Sequence, residues 1–322
     1  MTFHKNQALD SDRVKLNQLS KRGALLAVNA DRAQAFKELG HEVAYEAEEA
    51  IKRASVVIDC TPSGIGIDNK NAFYKKYADK VKGFIAQGSE FGFGKMYARG
   101  INDEVLQAND QFVQVVSCNT HNLSVLLKTL GDDGTGRIAI EEGRFVCLRR
   151  ANDISQDGSF IPAPQVGTHS DERFGTHHAR DAYHLFKTLG LDLNLFSSAV
   201  KLNTQYMHAL HFAIRVKGKL TRDEVISRMR ENPRVALTDK ISANTIFSFG
   251  REHGHYGRIL SEAVLCVPTL TVRDQREVVG FCFTPQDGNS LLSSCAATLW
   301  FLDAKSMPER LNALKPYLFQ EV

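Results

Sequence analysis

Cys118 is the residue whose position in this sequence most clearly suggests chemistry. Residues 112–116 have the composition of a buried strand, and a helical pattern begins directly after the cysteine. A sulfur at a helix N-terminus is favoured as the thiolate, because the helix dipole and the free backbone N–H groups stabilise negative charge. The same N–H groups can hold the oxyanion that forms when a thiolate attacks an aldehyde. The alternative is a cysteine that serves as a small apolar core residue.

Two further segments have the residue types of an anion or cofactor site. Arg149 and Arg150 are adjacent, and the planar guanidinium group suits phosphate, although paired arginines are also typical of a solvated strand end. The glycine-containing loop 61–66 directly follows the β-branched run 55–59. Ligands bind beyond the carboxyl ends of parallel strands, so this loop can approach a cofactor, but Pro-Ser-Gly is also ordinary turn chemistry.

The histidines do not indicate a metal site. His177, His178, His253 and His255 are the candidates, and neither a carboxylate nor a cysteine stands near them at a metal-ligand spacing. We therefore expect no bound metal.

The elements that must position these residues differ between the two halves of the chain. The first half alternates short apolar runs with helical patterns, which indicates βαβ units and a doubly wound parallel sheet. After about residue 118 the pattern changes to strands of a different sheet. Thr221 and Glu224 have capping-box spacing and predict a helix that ends before Pro233.

Composition narrows the class of protein. The 322 residues are enough for two domains, and the net charge of +3 arises from 40 basic and 37 acidic residues that are interleaved. We expect no nucleic-acid partner and no membrane span, since no apolar stretch approaches the length of a transmembrane helix. Six cysteines without a CxxC spacing suit a reduced, cytoplasmic protein.

Several motifs together resemble those of the archaeal-type (type II) glyceraldehyde-3-phosphate dehydrogenases. The sequence Ser-Cys-Asn-Thr at 117–120 resembles the nucleophile motif of that family. Further similar segments occur in the family's order and cover most of the chain: 57–66, Gln-Gly-Ser-Glu at 87–90, 148–153, Thr-His-His at 176–178, Tyr-Met-His at 206–208 and Asn-Pro-Arg-Val at 232–235.

The resemblance implies a two-part α/β fold. One part is a Rossmann-like parallel-sheet domain, truncated at its N-terminus, over residues 1–117 with 288–322. The other is an α+β catalytic domain with a mainly antiparallel sheet, over residues 118–287.

The resemblance also implies roles for individual residues. Cys118 is the nucleophile and His208 the general base. Substrate contacts are expected at Asn119, Thr120, Arg149, Arg150, His177 and His178. Cofactor contacts are expected at Thr61, Pro62, Ser63, Gly64, Gln87, Gly88 and Gln286.

The implied reaction is phosphorylating oxidation of glyceraldehyde 3-phosphate to 1,3-bisphosphoglycerate through a cysteine thioester. The cofactor is NAD or NADP, and Lys5 hints at tolerance for the 2′-phosphate of NADP. The expected partners are a small phosphorylated aldehyde, inorganic phosphate and further copies of the chain in a homotetramer.

Three departures from the family pattern stand out. No G-x-G-x-x-G follows an opening strand, and a first βαβ segment of about 30 residues is expected to be missing. Either the start of the sequence is misassigned, or the chain is a degenerate form of the family. His121 and Asn122 replace a family Thr-Gly, and Val125 replaces a family arginine. The departures leave two alternatives open, a dehydrogenase for a different aldehyde and a non-catalytic homologue acting as an oligomer subunit or binding protein.

Overall fold

The computed structural model describes residues 1–153, 158 and 160–322, without the side chains of residues 286 and 287. The chain divides into two compact units, Met1–Phe84 (unit 1) and Ile85–Val322 (unit 2). The domain boundaries expected from the resemblance, at residues 117 and 287, stay a prediction.

Unit 1 alternates strands with helices, as the sequence predicts. Strands β1, β2 and β3 form a parallel sheet in that order, and its core contains Leu26 and Phe36. The β-branched run predicted as a strand forms β4. The elements are β1 (Thr2–His4), α1 (Arg13–Lys21), β2 (Leu25–Val28), α2 (Ala33–Glu38), β3 (Tyr45–Glu46), α3 (Ala47–Arg53), β4 (Val56–Asp59) and α4 (Ile65–Ala72).

Unit 2 contains the remaining elements; its first strand begins two residues before the unit boundary. They are β5 (Gly83–Gln87), β6 (Lys95–Tyr97), β7 (Phe112–Val115), α5 (Cys118–Gly131), β8 (Ile140–Arg149), β9 (Gln165–Val166), α6 (His177–Lys187), β10 (Leu195–Lys201), β11 (His208–Val216), α7 (Arg222–Glu231), β12 (Val235–Thr238), α8 (Ala243–His253), β13 (Ala263–Arg273), β14 (Glu277–Thr284), α9 (Gln286–Asn289), α10 (Leu291–Asp303) and α11 (Met307–Leu311).

The large sheet of unit 2 has seven strands in the order β12-β13-β14-β11-β8-β10-β9. Its central pairs β13–β14, β14–β11 and β11–β8 are antiparallel, whereas β12–β13 and β8–β10 are parallel. Strand β7 lies between β5 and β6 and pairs with β6 in parallel. The predicted α/β class, with parallel sheets and a mainly antiparallel sheet, is confirmed.

Helix α5 lies inside unit 2, against β8 and β11. Every residue from Asn119 to Leu127 is buried, and a helix that is covered on all sides belongs to the core. Strand β11 alternates strictly, so that Leu210, Phe212 and Ile214 are buried in the same core. The sheet and the core together fix the helix that begins at Cys118.

The predicted capping box is confirmed at the start of α7. The Thr221 N–H donates to the Glu224 carboxylate at 2.6 Å, and the Glu224 N–H donates to the Thr221 hydroxyl at 3.3 Å. The helix ends at Glu231, before Pro233, as expected. Among the described residues, no helix combines the length and apolar character needed to cross a bilayer.

Glu262 is a carboxyl group in the interior of unit 2, just before β13. Its side chain is fully buried, and the closest cation is Arg234, with 3.6 Å between Nε and Oε2. Burial raises the pKa of Glu262 to about 8, although Arg234 acts in the opposite direction. Between pH 4.5 and 8 the folded chain therefore keeps a proton that the unfolded chain has released.

Replacing Glu262→Gln should stabilise the protein in that pH window. The pKa of Glu262 is higher in the folded protein than in the unfolded chain. The free energy of unfolding of the wild type therefore falls by up to about 1.4 kcal/mol for each pH unit above the pKa in the unfolded chain. The thermal unfolding midpoint of the variant should exceed that of the wild type at pH 7.5, and the difference should vanish at pH 4. The exposed Glu104→Gln is the control. An equal difference at both pH values would contradict the assignment.

Candidate active site

Cys118 is the first residue of α5, and two residues separate it from the end of strand β7. The strand–cysteine–helix arrangement predicted from the sequence is confirmed. The cysteine is half-buried, whereas Cys147 and Cys282 are fully buried. Its carbonyl oxygen accepts a hydrogen bond from the Asn289 amide at 2.8 Å.

The charge state of the Cys118 thiol results from opposing effects. Burial raises its pKa above the usual value, while the Asn119 N–H, Arg150 and Arg149 lower it by smaller amounts. The expected stabilisation of the thiolate by the helix terminus is present, but desolvation outweighs it. At neutral pH the sulfur is therefore mostly a thiol.

His208 is the first residue of β11, between the ends of two neighbouring strands. It lies opposite Thr284 of β14, and the next residue pairs with Leu148 of β8. The ring is buried, and its Nδ1 accepts the Arg150 backbone N–H at 2.9 Å. A neutral imidazole that accepts at Nδ1 carries its proton on Nε2. Burial, followed by Arg150 and Arg149, lowers the pKa of His208 to about 3.

The two arginines end up in different environments although they are adjacent. Arg149 is exposed at the end of β8 and lies within electrostatic range of Cys118, His177 and His208. Arg150 is buried, and its guanidinium group donates to the Tyr206 carbonyl and to Asp153, each at 2.9 Å. Arg149 is therefore the guanidinium that solvent and ligands can reach.

Tyr206 adopts a backbone conformation that is uncommon for a residue with a side chain. Its φ is 81°, two residues before His208, and such conformations persist where the surrounding structure enforces them. The Arg150 guanidinium binds its carbonyl oxygen and thereby holds the chain that leads into β11.

The other predicted substrate residues lie close together but are mostly internal. His177 is half-buried at the start of α6, and its ring is 3.9 Å from that of His178, centroid to centroid. His178 and Asn119 are buried, with 3.3 Å between Nε2 and Nδ2. Thr120 is also buried, and its hydroxyl pairs with the Ser117 hydroxyl at 2.9 Å. Substrate contacts at these positions stay a prediction.

The three positions that depart from the family pattern all lie inside the protein. His121 bonds to the Ser117 carbonyl at 3.0 Å and to the Ser293 hydroxyl at 2.8 Å, and burial lowers its pKa to about 4. Asn122 donates to the Thr284 hydroxyl at 2.7 Å. Val125 belongs to the apolar core. In this chain these side chains support α5 from within.

The predicted cofactor residues of unit 1 form the loop between β4 and α4. The Thr61 N–H donates to Asp59 at 2.8 Å, and Gly64 has a φ of 90°, a conformation that favours glycine. Pro62 and Ser63 complete this loop.

The predicted cofactor residues of unit 2 follow β5 and β14. Gln87 accepts from the Ser294 hydroxyl at 2.9 Å, and its amide Nε2 is buried without a hydrogen-bond partner in the part of the chain that the structure describes. Gly88 has a φ of 87°. An unpaired amide donor fits a cofactor with a carboxamide. Gln286 begins α9, and its side chain lies outside the described residues.

Within the described chain, no group of three His, Cys, Asp or Glu side chains has the geometry of a metal site.

Some residues that support the site are not predictable from the sequence. Asn289 donates to the carbonyl oxygens of Cys118 and Glu262, and Thr284 donates to Asn119 at 3.1 Å. They are far from Cys118 in the sequence, and single polar residues at the ends of elements carry no signal of such pairing.

Comparison with known proteins gives a consistent set of relatives. No family model matches the chain. It is 31% identical over 255 residues to a glyceraldehyde-3-phosphate dehydrogenase of Methanothermus fervidus, covering 76% of this chain and 69% of the relative. It is 30% identical to the same-named protein of Metallosphaera sedula, covering 80% of this chain and 73% of the relative. To the same-named protein of Archaeoglobus fulgidus it is 26% identical, covering 92% of this chain and 79% of the relative. For the same-named protein of Methanobacterium bryantii the match spans 58% of the relative's length.

The Nδ1 contact of His208 makes its protonation state testable. We expect the ring to stay neutral from pH 8 down to pH 5, with the proton on Nε2, because burial and two arginines disfavour the imidazolium. Nitrogen-15 NMR of the imidazole reports both properties, and His208→Asn identifies the resonance by its loss. Protonation with a midpoint near 6 would contradict the geometry.

Proposed function

Because the chain belongs to the glyceraldehyde-3-phosphate dehydrogenase family, of the archaeal type, we propose that it oxidises a phosphorylated aldehyde, glyceraldehyde 3-phosphate, to the acyl phosphate. The observation that carries the proposal is the half-buried sulfur of Cys118 at the N-terminus of α5, within electrostatic range of the exposed Arg149. A nicotinamide cofactor, when bound, supplies the hydride acceptor.

Cys118 is the proposed nucleophile. Its sulfur forms a bond to the aldehyde carbon, and the thiol proton ends on the former carbonyl oxygen, which gives a hemithioacetal. The arginines and the Asn119 N–H favour the reactive thiolate, and burial opposes them. After oxidation the carbon is held as a thioester, and attack by inorganic phosphate releases the acyl phosphate and returns the thiolate.

His208 is the proposed partner of the reacting oxygen. In the tautomer described above, its Nε2–H can donate to the aldehyde oxygen and polarise the carbonyl. To take the hemithioacetal proton as a base, the ring must first carry its proton on Nδ1 and give up the Arg150 hydrogen bond. In that tautomer the buried Arg150 N–H faces the Nδ1–H, and leaving a buried donor unsatisfied costs about 1–3 kcal/mol, which is small beside the barrier of the reaction.

Arg149 and His177 are the proposed contacts of the substrate phosphate. Both are at least partly open to solvent, and they lie within electrostatic range of one another. A guanidinium group binds phosphate through paired hydrogen bonds. For Arg150 we propose a supporting role, because its guanidinium group already binds Tyr206 and Asp153.

The proposed cofactor contacts rest on the family resemblance of each segment. In unit 1 they are Thr61, Pro62, Ser63 and Gly64; in unit 2 they are Gln87, Gly88 and Gln286. The unpaired Gln87 amide supports the assignment. NAD and NADP both remain candidates, and we further propose a cytoplasmic homotetramer.

A dehydrogenase for a different aldehyde is the second candidate. It is favoured by Val125, which lies in the core where the family has an arginine, and by His121, which is buried and bonded to Ser117 and Ser293. The cysteine chemistry is unchanged in this alternative, and only the aldehyde differs.

Replacing Cys118→Ser should abolish cofactor-linked aldehyde oxidation, with kcat lower by roughly 10³-fold or more, because an alcohol is a much weaker nucleophile. The exposed Cys60→Ser is the matched control and should retain activity. The absorbance of the reduced cofactor measures the rate. Turnover retained in the Cys118 variant would show that the nucleophile is a different group.

Replacing Arg149→Ala should raise KM for glyceraldehyde 3-phosphate by roughly 10- to 100-fold, from about 1.5–3 kcal/mol for a hydrogen bond to a charged group. The KM for unphosphorylated glyceraldehyde should hardly change. Arg144→Ala is the control, because Arg144 is exposed on the same strand and pairs with Glu142. Equal effects on both aldehydes would exclude phosphate binding by Arg149.

A further inference from the structure

A continuous run of hydrogen-bonded side chains crosses the interior beneath the first turn of α5. All of its members are buried, and they come from α5, α6 with its N-cap, β10 and β14. In spatial order they are Cys282, Asn122, Thr284, Asn119, His178, Thr176 and Ser197.

The α5 end of this run orients the Asn119 amide. Asn122 donates its amide N–H to the Thr284 hydroxyl at 2.7 Å and accepts the Cys282 thiol at 3.0 Å. The Thr284 hydroxyl, having accepted, donates to Asn119 Oδ1 at 3.1 Å. The Asn119 oxygen is thereby assigned, and its NH₂ group must face His178.

The α6 end of the run then fixes the tautomer of His178. An amide nitrogen only donates, so His178 Nε2 accepts from Asn119 at 3.3 Å. A neutral ring that accepts at Nε2 carries its proton on Nδ1, which donates to the Thr176 hydroxyl at 3.0 Å. Thr176 donates onward to Ser197 at 2.6 Å. Each hydrogen bond of the run thus joins one donor to one acceptor.

His178 therefore has neither ring nitrogen available for a phosphate oxygen. Binding an anion through Nε2 would require a proton there, and that N–H would face the NH₂ group of Asn119. Burial, followed by His177, Arg149 and His208, also lowers the pKa of His178 well below its usual range. A cationic, phosphate-binding His178 would have to overcome both effects.

We propose that His178 is a positioning residue, which holds the Asn119 side chain and thereby anchors the first turn of α5, where the Cys118 sulfur lies at the helix N-terminus. The proposal deepens the proposed function and rests on it, because it concerns the nucleophile of that reaction. Cys118 is the first residue of that helix, and the helix N-terminus favours the thiolate. Asn122 also helps to hold Asn119, because its amide orients the Thr284 hydroxyl. The glycine that the family has at this position has no side chain that could do so.

Two substitutions of His178 separate its two hydrogen bonds. Glutamine places an oxygen near the position of Nε2 and can still accept from Asn119. Asparagine places an amide near Nδ1 and can still donate to Thr176, but it is too short to reach Asn119. His178→Gln should therefore retain the support of Asn119, and His178→Asn should lose it.

The alkylation rate of Cys118 by iodoacetamide, followed by mass spectrometry of its peptide across pH, measures the effect on the sulfur. At pH 7.5 the rate of His178→Asn should fall about tenfold, which corresponds to one unit of thiol pKa. It should approach the wild-type rate at high pH. His178→Gln should stay within about threefold of wild type. An unchanged rate in His178→Asn would overturn the proposal.

Steady-state kinetics supply a second criterion. The asparagine variant should lower kcat and leave KM for glyceraldehyde 3-phosphate unchanged. If both variants instead raise KM for the phosphorylated aldehyde alone, His178 binds phosphate and the proposal is wrong. Alkylation does not need turnover. An inactive wild type would therefore refute the proposed function, and the alkylation rates would still test the positioning role of His178.

Thr284 provides an independent pair of variants should the His178 variants fail to fold. Thr284→Val removes the hydroxyl with little change of shape, and Thr284→Ser keeps it. The valine variant should slow Cys118 alkylation as His178→Asn does, and the serine variant should not. Equal rates in the two Thr284 variants would overturn the proposal.

Discussion

The buried N-terminus of α5 is the constraint on which the site depends. The helix lies in the core, so its first N–H groups and the polar side chains of its first turn need partners within the protein. Thr284 of β14 and His178 of α6 bond the Asn119 side chain, and Asn289 of α9 donates to the Cys118 carbonyl oxygen. The same burial raises the pKa of the Cys118 thiol, so reactivity depends on how well nearby donors and cations offset desolvation.

A second consequence concerns the paired residues of the family motifs. Arg149 and Arg150 are adjacent, yet one is exposed and the other is buried and bonded to Tyr206. His177 and His178 divide in the same way, because the second ring is bonded on both sides. In each pair one member is at least partly open to solvent, and its neighbour is bonded within the protein.

Local sequence patterns predicted the elements well, because their causes are local. The apolar run before Cys118 forms β7, and the spacing of Thr221 and Glu224 forms the capping box of α7. The pairing of Asn119 with His178 and Thr284 could not be predicted from the sequence, because it depends on contacts between distant elements. The burial of Arg150 was also not predicted, because a strand end can face either way. His121, Asn122 and Val125 depart from the family pattern, and only the packing of α5 shows that they face the interior.

The central claim is that the sulfur at the start of α5 forms the covalent bond to the substrate. The most direct test is to mix the protein with glyceraldehyde 3-phosphate and oxidised cofactor without inorganic phosphate, and to quench the reaction in acid. Without phosphate the thioester cannot be released by phosphorolysis, so peptide mass spectrometry should find the acyl group on Cys118 alone. Acylation of another cysteine, or an unmodified Cys118 in a protein that reduces the cofactor, would contradict the claim.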